Sequence, residues 1–402
     1  MKPTLLLDLD NTLLQNDSET FIPGYMQAWS EFVAPHLDPQ RFVNAMMTST
    51  RVIAERPRPD CTLREQFDSV FYPLIGMDKE QFLPIEEQFY SEVFPTLKPL
   101  VRPIPGVTEF AKAALERGCQ LAIATNPFFP LTAIEQRLSW AGLPVDQYPF
   151  SLVPSIDSFH FGKPHITFFA ELLAYLGWPV GPVIMVGDDP KMDIRPADLF
   201  GLPTFWITKD SVESPDEMQM PHACGQLSDL LNWLDSLPEG ALEPDLTTLA
   251  SMMATLRSTP AVLGSLSRDL TAWQWTHHSR PDEWCLAEIV CHMRDVDIEV
   301  NLPRLNKILQ EDNPFLPGMD TDRWIKERKY HLQDGPQALQ SFIAARLKLL
   351  ASLDTLQPDG WQRTARHSIF GRTDLAELVS IIAGHDRMHI QQFHQDLEIK
   401  SA

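Results

Sequence analysis

The sequence has few of the residues from which several common kinds of site are built. Its 402 residues include five cysteines, and no two of them form a Cys-x-x-Cys pair. Neither a disulfide framework nor a thiolate zinc site is therefore expected, and a reducing cytoplasm is the predicted location. The chain also lacks any run of about 20 uncharged apolar residues, so no membrane span is predicted.

Basic residues are also in short supply. Lys and Arg number 33 against 54 Asp and Glu, which gives a net charge of −21. Because such a surface repels phosphodiester backbones and anionic lipids, neither nucleic acid nor a membrane is an expected partner. The apolar N-terminal stretch is interrupted by Asp8 and Asp10 before it could form the core of a signal peptide.

Short apolar runs alternate with helical patterns over residues 1–15 and 101–237, which is typical of a parallel α/β sheet. The expected strands are residues 4–9, 121–125, 150–153, 183–187 and 203–207. The expected helices between them are residues 107–117, 131–140 and 165–176.

Two other regions have helical periodicity throughout. Residues 16–100 predict a helical cap inserted after the first strand, with helices at 25–33, 40–54, 63–74 and 79–94. Residues 238–245 are expected to form a linker, since Pro, Gly and acidic residues dominate there. Residues 246–402 predict a four-helix bundle, with helices at 246–270, 284–309, 337–353 and 375–397.

The first candidate site begins with the fragment Asp8-Leu9-Asp10, which leaves an apolar strand. Ligands of parallel α/β sheets bind at the carboxyl ends of strands, so both carboxylates are expected to face a site. One ionised carboxylate can attack phosphorus while the other protonates the departing oxygen and later activates water. Taken alone, such a pair is also typical of a solvated strand end.

Three later fragments could complete this site. Thr125 and Asn126 follow another expected strand and could hold a phosphate oxygen. Lys163 stands before a helix and offers a fixed cation. Asp188 and Asp193 follow a buried strand, and clustered carboxylates of this kind are explained by a bound divalent ion, for which Mg²⁺ is the best candidate. A run of capping acids with Asp193 facing solvent is the alternative explanation.

In this order, DLDNT, a strand ending in Thr, GKP and VGDDPKMD resemble the motifs of the haloacid dehalogenase superfamily of phosphohydrolases, in its subgroup with a helical cap. The resemblance implies that Asp8 is the nucleophile and a Mg²⁺ ligand, and that Asp10 is the acid/base and binds the metal through its backbone carbonyl. It implies that Thr125 and Lys163 bind the phosphate, with Asn126 nearby. Asp188 would complete the metal site and Asp193 would support it, while the role of Asp189 stays open.

Relatives in this superfamily also break carbon–halogen bonds. A halide leaves without a proton, whereas an alkoxide needs one, and Asp10 is present to supply it. Hydrolysis of a small phosphomonoester is therefore favoured over dehalogenation.

The second candidate site lies in the C-terminal helices. His385 and His389 are four residues apart, so their side chains share one helix face and could bind one metal ion. His292 lies on another helix of the same expected bundle. Two unrelated polar positions are the alternative explanation of the His-x-x-x-His spacing.

The pattern Trp284…Glu288-x-x-x-His292, together with AGHDRMHIQQ in the last helix, resembles DinB-like metal-binding four-helix bundles. The segment from His367 to Gly371 is part of this resemblance. The resemblance implies a site of His292, His385 and His389 with one open coordination position, as expected for catalysis. Zn²⁺, Ni²⁺ and Fe²⁺ all suit imidazoles, and a low-molecular-weight thiol is a candidate ligand.

Three hypotheses follow for the whole chain. The leading one is a Mg²⁺-dependent phosphatase fused to a metal-binding bundle. In the second, the bundle carries the main reaction, a thiol transfer, and the α/β region regulates it. In the third, the bundle is a non-catalytic module for ligand sensing or for forming a homodimer.

Overall fold

The computed structural model describes residues 2–208, 218–238, 240–280 and 283–401. The chain folds into two compact units, one of Met1–Leu172 with Pro179–Leu246 and the other of Leu173–Trp178 with Thr247–Ala402. The first is an α/β unit and the second is mostly helical, which confirms the expected fold class.

A parallel sheet forms the centre of the first unit. The strands of this unit are β1 (Thr4–Leu7), β2 (Leu14–Asn16), β3 (Val101–Pro103), β4 (Gln120–Ile123), β5 (Val183–Gly187), β6 (Thr204–Ile207) and β7 (His222–Gly225). Five of them form one sheet in the order β4-β1-β5-β6-β7. Strand β1 pairs in parallel with both β4 and β5, and its four residues are buried. The carboxyl ends of β1, β4 and β5 therefore meet at one edge.

The helices of the first unit are α1 (Ser18–Val33), α2 (Pro39–Glu55), α3 (Leu63–Ile75), α4 (Lys79–Gln88), α5 (Val107–Glu116), α6 (Leu131–Trp140), α7 (Ile166–Tyr175), α8 (Arg195–Phe200) and α9 (Leu227–Ser236). Of these, α7 belongs to the first unit only as far as Leu172. A π-helical turn, Pro190–Ile194, precedes α8. Each of α5 and α6 buries one apolar face, as their spacing predicts.

Helices α1–α4 make up the inserted segment between β2 and β3. These two strands pair antiparallel to each other, so the chain leaves and re-enters the α/β core at the same place. Asp17, Asp38 and Thr62 cap the first three helices by accepting hydrogen bonds from backbone amides. Trp29 stacks on Phe89 at a ring separation of 3.6 Å in an aromatic core.

The helices of the second unit are α10 (Leu249–Leu266), α11 (Ala272–Thr276), α12 (Leu286–Val296), α13 (Leu302–Gln310), α14 (Trp324–Glu327), α15 (Gly335–Asp354), α16 (Pro358–Trp361) and α17 (Leu375–Ser401). The strands β8 (Phe315–Leu316), β9 (Thr364–His367) and β10 (Gly371–Asp374) form a small sheet that the sequence analysis did not predict. Leu256, Ile308 and Leu349 are fully buried in the core of this unit.

Three expected elements differ from the structure. Residues 150–153 do not form a strand: they run beside β4 with a bridge at Phe150, between Pro149 and Pro154, which have no amide to donate. The expected helix 79–94 ends at Gln88 and continues as a π-helical turn and a 3₁₀ segment, Phe89–Val93 and Phe94–Leu100. The expected helix 284–309 is divided into α12 and α13 by a π-helical turn, Asp297–Asn301.

The stretch expected to be a linker packs on the first unit. The Val183 amide donates to the Leu242 carbonyl at 3.3 Å, and the Asp245 amide donates to the Gly201 carbonyl at 2.9 Å. Leu242 is buried. The chain from residue 240 to residue 245 is therefore ordered by the sheet and its loops, and Glu239 lies outside the described residues.

Candidate functional site

The carboxyl edge of the parallel sheet gathers side chains from distant parts of the sequence. Asp8 follows β1, Thr125 follows β4, and Asp188 follows β5. The Asp8 amide donates to the Val186 carbonyl, and the Ala124 amide donates to the Leu7 carbonyl, so parallel pairing continues to this edge. The sheet register thus places these residues side by side.

Three carboxylates meet around one lysine. Asp8, Asp188 and Asp193 each place a carboxylate oxygen within 4.8 Å of the other two. The Lys163 Nζ atom donates to Asp8 Oδ1 and to Asp193 Oδ1, each at 2.6 Å. Asp8, Lys163 and Asp193 are all buried. One cation faces three acids, so the cluster has an excess of negative charge.

The position of Asp193 depends on a glycine and on a neighbouring acid. A Cβ atom on Gly187 would lie 2.3 Å from Asp193 Oδ2, so only glycine allows this approach. The Asp189 amide donates to Asp193 Oδ2 at 3.1 Å. The Asp189 side chain accepts from the amides of Lys191 and Met192 and so caps the π-helical turn. Asp189, whose role the sequence left open, therefore has a structural one.

The electrostatics of this cluster favour a divalent cation. Burial and the nearby Asp193 raise the pKa of Asp188 to about 7. Burial also raises the pKa of Asp8 well above its usual value, although Lys163 opposes the shift. Burial alone would lower the pKa of Lys163, but Asp193 and Asp8 raise it. Oxygen ligands that are buried with too little positive charge fit a hard ion such as Mg²⁺.

Asn126 anchors the loop that carries Lys163. Its Oδ1 atom accepts a hydrogen bond from the Lys163 amide at 2.9 Å. A Cβ atom on Gly162 would lie 2.7 Å from the same oxygen, so the loop needs glycine there. Thr125 is buried beside Asn126. Asn126 thus lies next to the lysine, and Thr125 directly precedes Asn126 in the chain.

Asp10 stands apart from the three-acid cluster. Its Oδ1 atom accepts from Asn16 Nδ2 at 2.6 Å and from the guanidinium of Arg137. Its side chain is about 39% exposed, whereas that of Arg137 is about 2% exposed. Arg137 was not among the expected site residues, although it is a charged residue on the apolar face of α6, between the buried Ile134 and Leu138, and that position could have indicated a buried acidic partner.

Three imidazoles converge in the second unit. The Nε2 atom of His385 lies 3.0 Å from Nε2 of His292 and 3.0 Å from Nε2 of His389. The Nδ1 atom of His389 lies 2.7 Å from the Gln392 Oε1 atom, and Trp284 stacks on the His389 ring. Because an amide oxygen can only accept, Nδ1 of His389 carries the hydrogen and its Nε2 presents a lone pair.

This donor set fits a metal ion better than it fits hydrogen bonds among the three rings. A single hydrogen on Nε2 of His385 can serve only one of its two Nε2 contacts. Burial lowers the pKa of His389 to about 4, and burial together with His389 lowers the pKa of His292 to about 3. The rings are therefore neutral at pH 7, as a transition-metal ligand must be.

A buried ion triad lies directly beside the histidines and was also missed from the sequence. Arg346 donates to Asp297 at 2.8 Å and to both carboxylate oxygens of Asp386, the residue after His385. All three side chains are almost fully buried. Because an unpaired buried charge is costly, the triad fixes the part of α17 that carries His385 against α15 and the π-helical turn.

Two other residues that belong to the sequence resemblance, His367 and Glu288, make hydrogen bonds within their own segments. His367 Nδ1 accepts from the amides of Ile369 and Phe370 and closes the turn between β9 and β10. Glu288 accepts from the Cys285 amide at the start of α12 and contacts His278 at 2.9 Å. Neither His367 nor Glu288 belongs to the three-histidine cluster. Among the described residues, no helix has the length and apolar character needed to cross a bilayer.

Comparisons with known proteins identify both regions. Residues 3–201 match the family model of haloacid dehalogenase-like hydrolases, and residues 255–393 match that of the DinB superfamily. Both resemblances expected from the motifs are thereby confirmed.

Individual relatives cover different parts of the chain. The phosphoserine phosphatase of Thermus thermophilus is 33% identical over 117 residues, which span 28% of this chain and 45% of that relative. The glyceraldehyde 3-phosphate phosphatase of Methanocaldococcus jannaschii is 24% identical over 234 residues, 58% of this chain and 97% of the relative. The structure of YfiT from Bacillus subtilis, a four-helix bundle, aligns with 40% of this chain and 90% of its own, at 19% identity and a TM-score of 0.34.

Proposed function

Because the chain carries a haloacid dehalogenase-like hydrolase domain followed by a DinB-superfamily domain, we propose that its first unit is a Mg²⁺-dependent phosphatase. Its substrate is a small phosphomonoester, and the reaction passes through an aspartyl-phosphate on Asp8. The observation that carries this proposal is the buried Asp8–Lys163–Asp193 contact beside Asp188 at the sheet edge. The two curated relatives, both of which are phosphatases by name, support the reaction class.

Asp8 is the nucleophile in this proposal. Lys163 occupies its Oδ1 atom, and its Oδ2 atom accepts no hydrogen bond from the described residues. The Oδ2 atom attacks phosphorus, a bond forms between carboxylate and phosphorus, and the bond from phosphorus to the leaving oxygen breaks. Lys163 offsets negative charge on the phosphoryl group as it moves.

Asp10 supplies and removes the proton. In the first step its carboxyl group gives a proton to the leaving oxygen, which departs as an alcohol. In the second step the Asp10 carboxylate takes a proton from water, the water oxygen bonds to phosphorus, and the Asp8–phosphorus bond breaks. Phosphate and the free Asp8 carboxylate result, so the cycle closes without another reactant.

The other expected residues bind the phosphate and the metal. Asn126, which contacts the Lys163 amide, and the preceding Thr125 are proposed to contact phosphate oxygens; the Asn126 side-chain nitrogen has no partner in the described part of the chain. Asp8, Asp188 and Asp193, with the Asp10 backbone carbonyl, are the residues that would hold Mg²⁺. When bound, Mg²⁺ supplies positive charge for the phosphoryl oxygens.

The second unit is proposed to bind a divalent transition metal, Zn²⁺, Ni²⁺ or Fe²⁺, through His292, His385 and His389. The convergence of three neutral Nε2 atoms supports this site. A thiol-dependent transfer at this metal is the second candidate function, because three protein ligands leave a position open for a small molecule. Residues 240–402 alone would then catalyse turnover that depends on an added thiol.

Replacement of the nucleophile tests the phosphatase proposal. Asp8→Asn should lower phosphate release from 4-nitrophenyl phosphate on the order of 10⁴-fold or more, the scale on which loss of a nucleophile usually acts. The matched control is Asp189→Asn, which keeps a side-chain oxygen for the cap and lies outside the acid cluster. Full activity in the Asp8→Asn protein would reject the assignment.

A further inference from the structure

Arg137 is a buried charge whose carboxylate partner in the described residues is Asp10. It lies on α6 and reaches the Asp10 Oδ1 atom with its guanidinium. The guanidinium carbon also lies 5.3 Å from the ring centre of Phe21 and 5.5 Å from that of Phe129. The Arg137 Nε atom is buried without a partner in the described part of the chain. A guanidinium enclosed by two rings has little freedom to move away from Asp10.

Both hydrogen bonds to the Asp10 carboxylate fall on the same oxygen. Asn16 Nδ2 donates to Oδ1 at 2.6 Å, and Arg137 donates to Oδ1 as well. The Oδ2 atom accepts no hydrogen bond within the described ranges. With both donors on Oδ1, Oδ2 is the oxygen of this carboxyl group that can contact a leaving group or a water molecule.

We propose that Arg137 is a positioning residue for the acid/base step. Together with Asn16 it fixes the Asp10 carboxyl group so that Oδ2 is the atom that gives its proton to the leaving oxygen and later takes one from water. This inference rests on the proposed phosphatase function. It adds a residue that none of the sequence motifs contains, and it assigns the proton to one atom.

The proposal predicts that loss of Arg137 harms substrates according to their leaving groups. Phenyl phosphate and 4-nitrophenyl phosphate have nearly the same shape, but phenolate needs a proton to leave far more than nitrophenolate does. In Arg137→Met the carboxyl group of Asp10 loses its fixed orientation. We expect kcat/KM for phenyl phosphate, which reports transfer of the phosphoryl group to Asp8, to fall about 10²-fold, within the usual range of general acid catalysis, while kcat/KM for 4-nitrophenyl phosphate changes little. Hydrolysis of the aspartyl-phosphate is common to both substrates and should slow equally for both.

Two further variants separate positioning from folding. Arg137→Lys keeps a donor near Oδ1 and should recover part of the loss on phenyl phosphate. Asn16→Ala removes the other donor to Oδ1 and should produce a smaller loss of the same selectivity. If Arg137→Met does not fold, the Asn16→Ala protein still tests whether the donors to Oδ1 position the Asp10 carboxyl group.

The matched control is Arg64→Met in the inserted segment. Arg64 is also largely buried and paired with acids, Glu86 and Asp157, each at 2.9 Å, but it has no contact with Asp10. Any loss in this variant should be equal on both substrates. Equal losses of kcat/KM on both substrates in the Arg137→Met and Asn16→Ala proteins would overturn the positioning role. Inactivity of the unsubstituted protein on both substrates would instead reject the phosphatase function.

Discussion

The first unit has a buried cluster of acids, and the second unit has a buried cluster of histidines. The two clusters differ in how they accommodate repulsion between chemically similar side chains. Asp8, Asp188 and Asp193 repel one another, and Lys163 offsets only part of their charge. The three imidazoles avoid repulsion by staying neutral. In the first site burial raises the pKa values of the ligands, and in the second burial lowers them.

This difference between charged carboxylates and neutral imidazoles indicates which ion each site prefers. Carboxylates with excess negative charge attract a hard cation through electrostatics, and protons compete for them near neutral pH. Neutral imidazoles bind a transition metal through their lone pairs, and protons compete only in acid. Loss of the metal ion from one site should therefore leave the metal ion of the other site bound.

The largest expected effect comes from replacing one ligand in each site. Asp188→Asn should lower phosphate release by about 10²–10³-fold, as loss of a preorganised electrostatic contact does, and leave the metal content of the second unit unchanged. His389→Ala should lose the transition metal and keep phosphate release. Elemental analysis measures the metal content of both proteins, and a phosphate assay measures their activity.

The control for the histidine variant is His277→Ala, which removes an exposed histidine of the same unit that stacks on Trp273. It should retain its metal. If His389→Ala also stops phosphate release, the two sites do not act independently and the contrast between them fails.

A smaller effect is expected on the stability of the metal-free protein at different pH. Asp188 has a pKa of about 7 in the folded protein and an ordinary value of 3.8, so the folded first unit holds this proton more tightly. Its stability should fall as the pH rises from 4 to 7. His389 and His292 have pKa values of about 4 and 3 against an ordinary 6.5, so the second unit should lose stability as the pH falls below 6.5.

Calorimetry of chelated protein at pH 5 and pH 7 measures these opposite slopes as shifts of two unfolding transitions. Asp188→Asn should flatten the slope of the first unit alone. Parallel slopes in both units would contradict the contrast drawn from the pKa shifts.

The smallest expected effect concerns Asp189, which has a structural role beside the proposed metal ligands. Asp189→Ala removes the cap of the π-helical turn and should cost about 1 kcal/mol of unfolding free energy, as loss of an N-cap usually does. Asp189→Asn should be close to neutral. Urea unfolding of the metal-free proteins measures both, and equal stability of the two variants would remove the role assigned to this cap.

The sequence patterns predicted most of the features that depend on residues close to one another in the chain. The alternation of strands and helices predicted the α/β and all-helical regions, and the motifs identified both families. Asp8 and Asp188 could be placed at a common edge because they follow buried strands of one parallel sheet. The four-residue spacing of His385 and His389 placed both on one helix face.

The partners of these residues could not be found in the same way. Arg137 and Arg346 each occupy a buried helix position, and their acids lie 127 and 40 or more positions away in the chain. The spacing of residues within one helix does not indicate which acid the folded chain places beside an arginine on that helix. The π-helical turn that carries Asp297 was missed for a similar reason, since Arg346 on α15 holds it from outside.

The placement of Asp8 directly after the first strand has a consequence for how the protein is made. Lys163 follows Asp8 by 155 positions, and Asp193 follows Lys163 by 30. The ribosome therefore adds the proposed nucleophile well before either of these partners. The helices of the inserted segment, which are complete by Leu100, are also made before Lys163 and Asp193, so they can fold before the carboxyl edge of the sheet assembles.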